Sequence, residues 1–233
     1  AARAAEARAG GGGPAEPARR RARRAAAAPG DSLELVAREV GSCEACRLSG
    51  GRRLAVPGEG AARPLVLVVG EGPGAEEDQS GRPFVGPAGQ LLDKMLAAIG
   101  LSRAENCYIA NMVKCRPPMN RDPAPDETNA CLGYLRRQAA LLQPFAILCV
   151  GRIAAQNLLG TSEGIGRLRG RFFEWEGIPL FATYHPSAIL RDEGLKRPAW
   201  EDLKAFKAYL DGEAAPSGAA GGLPGGPSGG ESR

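Results

Sequence analysis

Residues 65–89 read LVLVVGEGPGAEEDQSGRPFVGPAG, and this stretch decides the fold. Its first five residues are an apolar run, rich in β-branched side chains, with the length and composition of a buried parallel strand. A glycine-rich turn follows directly, and open α/β sheets place their ligand site at such turns, beyond the carboxyl ends of the strands. The stretch therefore predicts an α/β sheet with a binding site at the end of this strand.

The turn carries more than a chain reversal requires. A lone aromatic residue, Phe84, follows a proline within it. The glycine-rich turn matches neither phosphate-binding fingerprint, because GxxxxGK[ST] is absent and residues 70–75 lack the third glycine of GxGxxG. The turn also contains a run of carboxylates, Glu71, Glu76, Glu77 and Asp78. These features favour a flat, neutral ligand over a nucleotide.

Strand and helix patterns alternate along the rest of the chain, which predicts a parallel sheet with helices on both faces. The predicted strands are Leu65–Val69, Tyr108–Val113, Phe145–Val150 and Ile178–Thr183. The predicted helices are Leu33–Val40, one that begins at Pro87 and stops at Gly100, Pro125–Leu142, Arg152–Leu159 and Pro198–Leu210. The fold class is α/β, and the loops that follow the four strands are expected to meet at one rim.

Composition separates a folded part from two tails. Residues 1–30 hold seven Arg against two Glu, and residues 212–233 are rich in Gly, Pro and Ser, so we expect both segments to be disordered. Residues 31–211 form the expected domain. The formal charge of +4 arises mainly from the first segment, so the domain itself is nearly neutral. Contact between the domain and a polyanion would therefore rest on a local patch.

The sequence shows neither a secretory signal peptide nor an apolar stretch long enough to span a bilayer. We therefore expect a soluble protein of the cytoplasm that has no membrane partner. We further expect it to act as a monomer.

Six cysteines divide into two groups. Cys107 and Cys149 border or lie in predicted strands and are expected to be small core residues. The other four are a CxxC pair and two distant single residues, Cys43, Cys46, Cys115 and Cys131. Four thiolates of this kind can ligate zinc or an iron–sulfur cluster. The long interval between the last two favours a cluster, but spacing alone leaves both alternatives open.

Two polar residues stand at the ends of predicted strands. His185 is the only histidine, and it follows the fourth strand within Tyr184-His185-Pro186-Ser187. Its position at the rim favours a functional role over a structural one. Asn111 falls at the end of the second strand, and its amide offers both a donor and an acceptor, which suits the edge of a nucleobase.

The segments GEGPGAEED, GRPFVGPAGQLL, NMVKCRPP and YHPSAILR, in this order and with these four cysteines, closely resemble the family 4 uracil-DNA glycosylases. This is the iron–sulfur type of bacteria and archaea. The resemblance extends from Leu33 to Leu210. It implies a three-layer α/β/α sandwich around a central four-stranded parallel sheet. It also implies hydrolysis of the bond between uracil and deoxyribose, and a structural [4Fe–4S] cluster held by Cys43, Cys46, Cys115 and Cys131.

The resemblance implies three residues that recognise the base. Uracil in a duplex must be flipped into a pocket before it can be cleaved. Phe84 would stack on the flipped ring, and Asn111 would read its O4 and N3 edge, which rejects cytosine because its donor and acceptor pattern is reversed. Glu77 would crowd the C5 position and exclude the methyl group of thymine.

Three further residues would serve the chemistry. His185 would donate a hydrogen bond to the negative charge that develops on uracil O2. Glu71 would position water or screen the positively charged sugar, as carboxylates do in glycoside hydrolysis. Gly72 would leave room beside the attacking water.

The expected partner is uracil-containing DNA, single- or double-stranded. We expect the contact to centre on the loop from His185 to Arg191. Pro186 and Ser187 would press on a phosphate, while Arg191 and Lys114 would supply positive charge.

Two alternatives remain open. The covalent uracil-trapping branch of the superfamily carries a basic insertion with a nucleophilic histidine before its last cysteine. Residues 116–130, RPPMNRDPAPDETNA, contain neither feature, which disfavours trapping. The second alternative, a non-catalytic iron–sulfur module that binds DNA, is disfavoured by the presence of Glu71, Asn111 and His185.

Overall fold

The computed structural model of the protein describes residues 26–213. The segments predicted to be disordered, 1–30 and 212–233, lie outside the described residues except for the few next to the domain. The predicted domain, 31–211, lies within them.

One sheet forms the centre of the fold. Its strands within the described residues are β1 Glu59–Gly60, β2 Val66–Gly70, β3 Cys107–Asn111, β4 Ala146–Val150, β5 Phe172–Trp175 and β6 Ile178–Thr183. Their order across the sheet is β1-β3-β2-β4-β6-β5. The four inner strands are parallel, whereas β1 and β5 pair antiparallel at the two edges. The predicted four-stranded parallel sheet is thus confirmed as the centre of a six-stranded one.

Helices cover both faces of this sheet. Those within residues 26–213 are α1 Leu33–Ser42, α2 Ala75–Ser80, α3 Pro87–Ala97, α4 Pro125–Leu142, α5 Arg152–Leu159, α6 Ile165–Leu168, α7 Pro186–Arg191 and α8 Lys196–Leu210. The five predicted helices are present, and the short α2, α6 and α7 were not predicted. In the described part of the chain, no helix is long and apolar enough to cross a membrane.

The apolar run of β2 serves both faces, because successive side chains of a strand point to opposite sides. Leu67 and Val69 belong to a buried cluster that includes residues of α4 and α5. Val66 and Val68 belong to a second cluster with residues of α3 and α8. The result is a three-layer α/β/α arrangement, as expected, and it explains why β2 is apolar without alternation.

The remaining cysteines of the core behave as expected. Cys107 in β3 and Cys149 in β4 are fully buried. Burial raises the pKa of the Cys107 thiol to about 12, so it stays neutral. Both residues are confirmed as small apolar components of the core.

Strand register sets the position of the functional loops. Gly70 pairs with Asn111 across β2 and β3, and Val150 pairs with Thr183 across β4 and β6. The residues that directly follow these four positions therefore leave the sheet at the same edge. Glu71 and His185 are brought to one rim in this way.

Candidate active site

The loops beyond the inner strands surround a cavity of about 550 Å³. Eight of the residues predicted from the sequence line it: Glu71, Gly72, Glu77, Phe84, Asn111, His185, Ser187 and Arg191. Gly151 and Arg152, which follow β4, complete the lining on that side. The structure thus brings most of the predicted site together at the predicted rim.

Gly70 lies at the back of this cavity, and its lack of a side chain lets two others meet there. A Cβ at this position would lie 2.5 Å from Asn111 Oδ1 and 2.5 Å from Phe84 Cζ. Real Cβ atoms do not approach other atoms so closely. The amide of Asn111 and the ring of Phe84 can therefore share this place only because residue 70 is glycine.

Asn111 ends β3 with its side chain buried, at 1 % exposure. Its Oδ1 is the one buried side-chain oxygen or nitrogen in the described part of the chain that has no hydrogen-bond partner. Leaving such a group unpaired costs about 1–3 kcal/mol, so an orphaned acceptor in a cavity calls for an explanation. A ligand that donates a hydrogen bond at this point would satisfy it.

Phe84 closes one side of the cavity. Its φ of +52° lies in the left-handed region, which is uncommon for a bulky residue and requires support from the surrounding structure. The Phe84 and His185 ring centroids are 5.6 Å apart, with an angle of 34° between the ring planes. The two rings thus form adjoining walls against which a flat ligand can pack.

Glu77 lies on α2 and supports the turn that holds Phe84. One carboxylate oxygen accepts from Val85 N at 2.9 Å and from Gly86 N at 3.0 Å, while the other accepts from Gly74 N at 3.1 Å. Both oxygens are therefore engaged by backbone amides. The side chain still lines the cavity, where the sequence placed it, but its polar atoms are turned toward the loop.

Glu71, the residue after β2, is an acid in a poorly solvated place. Burial raises the pKa of its carboxyl to about 7, and the negative charge of Asp122 acts in the same direction. The cations Arg152 and Arg191 oppose this shift. A carboxyl group of this kind changes its charge near neutral pH.

His185 caps the start of α7. Its Nδ1 lies 3.1 Å from the backbone N of Ser187 and 2.8 Å from Ser187 Oγ. Because a backbone N–H can only donate, Nδ1 must accept, and the ring proton then lies on Nε2. Burial and the nearby cation Arg191 together lower the pKa of His185 to about 4, although the negative charge of Glu77 opposes the shift. At neutral pH the residue is an uncharged imidazole with Nε2–H free to donate.

A glycine makes room for this histidine. Gly151 has a φ of +100°, and a Cβ there would lie 2.9 Å from His185 Cβ. The positive φ and the close approach together exclude other residues. The turn after β4 therefore helps to fix the imidazole that follows β6.

Two of the residues predicted to contact DNA have buried side chains in the structure. Lys114 is 1 % exposed, and its Nζ donates to the backbone oxygen of Asn111 at 3.0 Å and to Gln138 Oε1 at 2.8 Å. Burial lowers its pKa to about 8. Pro186 is buried as the first residue of α7. The prediction that Lys114 supplies positive charge to DNA is therefore wrong, because its ammonium group supports the backbone beside the cavity. The contact of Pro186 with a phosphate concerned its backbone and stays a prediction.

The sequence analysis also missed an ion pair at the rim. Arg152, the first residue of α5, binds Asp122 through a 2.5 Å contact between Nη2 and Oδ2. Both residues line the cavity, and both influence the pKa of Glu71. Only the position of Arg152 could have indicated this role from the sequence, since it directly follows the glycine after a buried strand.

The four cysteines that the resemblance assigns to a cluster converge away from this cavity. Cys43, Cys46, Cys115 and Cys131 line one small pocket, and all four are free thiols. Three of the sulfurs accept hydrogen bonds, from Ala45 N, from Arg52 Nη1 and from Lys114 N.

In chemical terms this set of donors fits an iron–sulfur cluster or a zinc ion, since both take four thiolates and both are tuned by hydrogen bonds to sulfur. As the side chains stand, no three such groups within residues 26–213 have the geometry of a metal site.

Comparison with known proteins gives consistent results. A family model described as the uracil DNA glycosylase superfamily matches residues 57–204. The chain is 43 % identical over 189 residues to a type-4 uracil-DNA glycosylase of Saccharolobus solfataricus, covering 77 % of this chain and 87 % of the relative. A type-4 uracil-DNA glycosylase of Thermotoga maritima is 40 % identical over 185 residues, with 78 % and 96 % covered. These similarities confirm the resemblance inferred from the motifs.

Proposed function

The chain belongs to the uracil-DNA glycosylase superfamily, with type-4 enzymes among its relatives, and we propose that it removes uracil from DNA by hydrolysis. In this reaction the base leaves the duplex, enters the cavity and is cut from its sugar, giving free uracil and an abasic site. The enzyme is monofunctional, and its place is in DNA repair.

The observation that carries this proposal is the unpaired Oδ1 of Asn111, which lies beside the Phe84 ring. Uracil offers a ring for stacking and an N3–H donor next to an acceptor, O4. Asn111 can accept from the first and donate to the second, whereas cytosine has no proton on N3. Stacking on an aromatic ring contributes about 1–3 kcal/mol per base, and it applies to any base, so the amide supplies the selectivity for uracil over cytosine.

The reaction breaks the bond between N1 of uracil and C1′ of the sugar, and a water oxygen then bonds to C1′. One O–H bond of that water also breaks, and its proton ends on the released uracil anion, so the products are neutral uracil and the hydroxyl group of an abasic sugar. The electrons of the N1–C1′ bond leave with uracil, where the negative charge spreads to O2. The Nε2–H of neutral His185 can donate to that oxygen, an interaction that strengthens as the charge develops. Ionised Glu71 can hold the water and offset the positive charge on the sugar.

A single incubation tests the proposal against its two rivals. The protein is mixed with a labelled oligonucleotide that contains one uracil, beside the same strand with thymine. Release of free uracil and an alkali-labile abasic site supports the proposal. A denaturation-resistant protein–DNA adduct would indicate covalent trapping, and a shifted but intact strand would indicate a binding module. Either of these outcomes would overturn the proposal.

Replacing His185 with Ala should slow excision by roughly 10²–10³-fold while leaving the affinity for uracil-containing DNA nearly unchanged. The reason is that the hydrogen bond to O2 is made mainly in the transition state. Single-turnover rates and binding measured with a non-cleavable analogue separate the two effects. Equal losses in both would show that His185 serves only the scaffold.

The pH profile should report Glu71. Because its pKa is raised to about 7, the carboxyl is neutral in acid and becomes an effective carboxylate only as the pH passes 7. The kcat/KM of the free enzyme should therefore rise with pH, with a midpoint near 7, while His185 stays neutral throughout. Asp122→Asn should move the midpoint to lower pH, since it removes a negative neighbour. A flat profile between pH 5 and 9 would contradict this role of Glu71.

We also propose that Cys43, Cys46, Cys115 and Cys131 hold a [4Fe–4S] cluster rather than zinc. The relatives are type-4 enzymes, and the four thiols with their hydrogen-bond donors supply a suitable set of ligands. Such a cluster contributes a structural cross-link. It would join the segment after α1, the segment after β3 and helix α4, whose apolar residues Leu48, Val113 and Tyr134 pack together with the cysteines.

Replacing Cys115 or Cys131 with Ala should remove the iron, bleach the brown colour and lower the melting temperature. Cys149→Ala is the matched control, because that cysteine is buried in β4 and is not one of the four. Iron and sulfide analysis with visible absorbance measures the outcome. Zinc in place of iron, or full iron content in the Cys115 variant, would refute the assignment.

We propose that DNA contacts the rim through α7. Arg191 is exposed and lines the cavity, and Ser187 lies one turn before it on the same helix. Because the domain is nearly neutral, this cation matters for holding the phosphates beside the flipped base. Single- and double-stranded uracil substrates both present that backbone, so both are expected to bind.

Arg191→Gln should weaken binding to DNA of any sequence and reduce the slope of log K against log salt by about one. Arg136→Gln is the control, because Arg136 pairs with Glu176 in the β5–β6 turn, at the opposite end of the sheet. Binding titrations at several salt concentrations distinguish the two variants. An unchanged salt slope for Arg191→Gln would exclude this contact.

Residues 31–211 are, in this proposal, a complete glycosylase domain that acts as a monomer in the cytoplasm. Residues 1–30 would add at most affinity for DNA through their arginines. Deletion of residues 1–30 should leave the single-turnover rate unchanged, and size-exclusion chromatography should give a monomer mass. Loss of cleavage by a folded deletion variant would contradict this division of the chain.

A further inference from the structure

We propose that Arg103 is a positioning residue for base recognition, acting through Phe84 from outside the cavity. The inference rests on the proposed function, because it assumes that Phe84 stacks on the flipped base. Arg103 is absent from the cavity lining, and it lies between α3 and β3. Its role follows from what its guanidinium binds.

Arg103 binds two successive backbone carbonyl groups, that of Pro83 and that of Phe84. Its Nη1 donates to Pro83 O at 2.9 Å, and its Nη2 donates to Phe84 O at 2.7 Å. The side chain is 17 % exposed, so these bonds form where water competes poorly. The planar fork of a guanidinium can serve two neighbouring carbonyls at once, which a lysine ammonium cannot reproduce.

The turn needs this support because Phe84 adopts a φ of +52°. Such a conformation costs on the order of 1–3 kcal/mol and persists only where neighbouring groups over-determine it. Arg103 binds the carbonyls of the turn, while Glu77 binds the amides of Val85 and Gly86. The peptide groups around Phe84 are thus fixed from two opposite sides.

The backbone of α3 at Gly89 also packs against the Phe84 turn. A Cβ at Gly89 would lie 2.0 Å from Phe84 O, so α3 packs directly against the turn. The carbonyl oxygen that Arg103 binds is therefore confined by a helix as well as by a cation. Any rotation of the Phe84 peptide that relieved its φ would have to break both contacts.

Arg103 is itself held in place by two carboxylates. Its Nη1 lies 2.8 Å from Glu59 Oε1 in edge strand β1, and its Nη2 lies 2.8 Å from Asp93 Oδ1 in α3. Its four partners thus fix both ends of the guanidinium. This ties the Phe84 turn to α3, whose first residues line the cavity, and to edge strand β1, which does not line it.

The neighbouring Arg82 provides a matched control. It also binds Glu59, with its Nε at 2.8 Å from Oε2 and its Nη2 at 3.0 Å from Oε1. Its side chain is 61 % exposed, and within residues 26–213 it forms no other side-chain hydrogen bond. Substitution of Arg82 therefore removes an arginine from the same carboxylate without releasing the carbonyls of the Phe84 turn.

The experiment compares Arg103→Gln, Arg103→Lys and Arg82→Gln in single-turnover excision of uracil, with melting temperatures measured in parallel. Both Arg103 variants should lose about 10- to 100-fold in excision, since small displacements of a positioning group have effects of this size. Arg82→Gln should stay within about twofold of the wild type. Loss of activity in Arg82→Gln, or normal activity in both Arg103 variants, would overturn the proposal.

A double-mutant cycle with Phe84→Ala distinguishes positioning from a general structural effect. If Arg103 acts through the ring, Arg103→Gln should cost little in the Phe84→Ala background. The same loss in both backgrounds would contradict the inference.

Hydrogen exchange at the Val85 and Gly86 amides gives a readout that does not depend on activity. Exchange should accelerate in both Arg103 variants and remain slow in Arg82→Gln. Unchanged exchange rates in the Arg103 variants would overturn the positioning role of Arg103, even if the wild-type protein releases uracil. If exchange is faster in the Arg103 variants but the wild-type protein releases no uracil, Arg103 still fixes the Phe84 turn, and only the proposed function fails.

Discussion

The site depends on an absent side chain. Residue 70 is the last of β2, and only a glycine there lets the Asn111 amide and the Phe84 ring lie within contact distance of the same point. Parallel register places Asn111 beside Gly70, and the long loop after β2 returns Phe84 to it. The backbone oxygen of each of these two residues accepts a hydrogen bond from a cationic side chain: Lys114 binds that of Asn111, and Arg103 binds that of Phe84. The two residues that we propose for base recognition are thus held at one point of the site.

The same poorly solvated cavity moves its two titratable groups in opposite directions. Burial disfavours the charged form of each, so the pKa of Glu71 rises to about 7 and that of His185 falls to about 4. His185 is therefore a neutral donor over the whole physiological range, with its tautomer fixed by Ser187. Glu71, in contrast, changes its charge near neutral pH. The division of roles follows from one environment acting on an acid and a base.

The inner sheet was predictable because its strands are buried on both faces and read as apolar runs. The edge strand Phe172–Trp175 was missed, since it has four residues of which only the two at its ends are buried, so it shows no regular alternation. It joins β6 through a tight turn with positive φ at Glu176 and Gly177. The rim residues were found from their positions after strands. Lys114 was misjudged because a lysine after a strand resembles a surface residue, whereas its side chain turns inward to two oxygens. The roles of Arg103 and the Asp122–Arg152 pair depend on contacts between distant segments, which a single sequence does not reveal.

The most direct test of this account is the rate of uracil excision by Gly70→Ala. The φ of residue 70 is not positive, so alanine is tolerated by the backbone, and the three atoms nearest to the added Cβ belong to the Asn111 amide and the Phe84 ring. Gly133→Ala, where a Cβ meets nothing within 4 Å, is the control. We expect Gly70→Ala to keep its circular dichroism spectrum and to lose about 100-fold or more in single-turnover rate. A folded Gly70→Ala protein that excises uracil at the rate of the control would contradict the account.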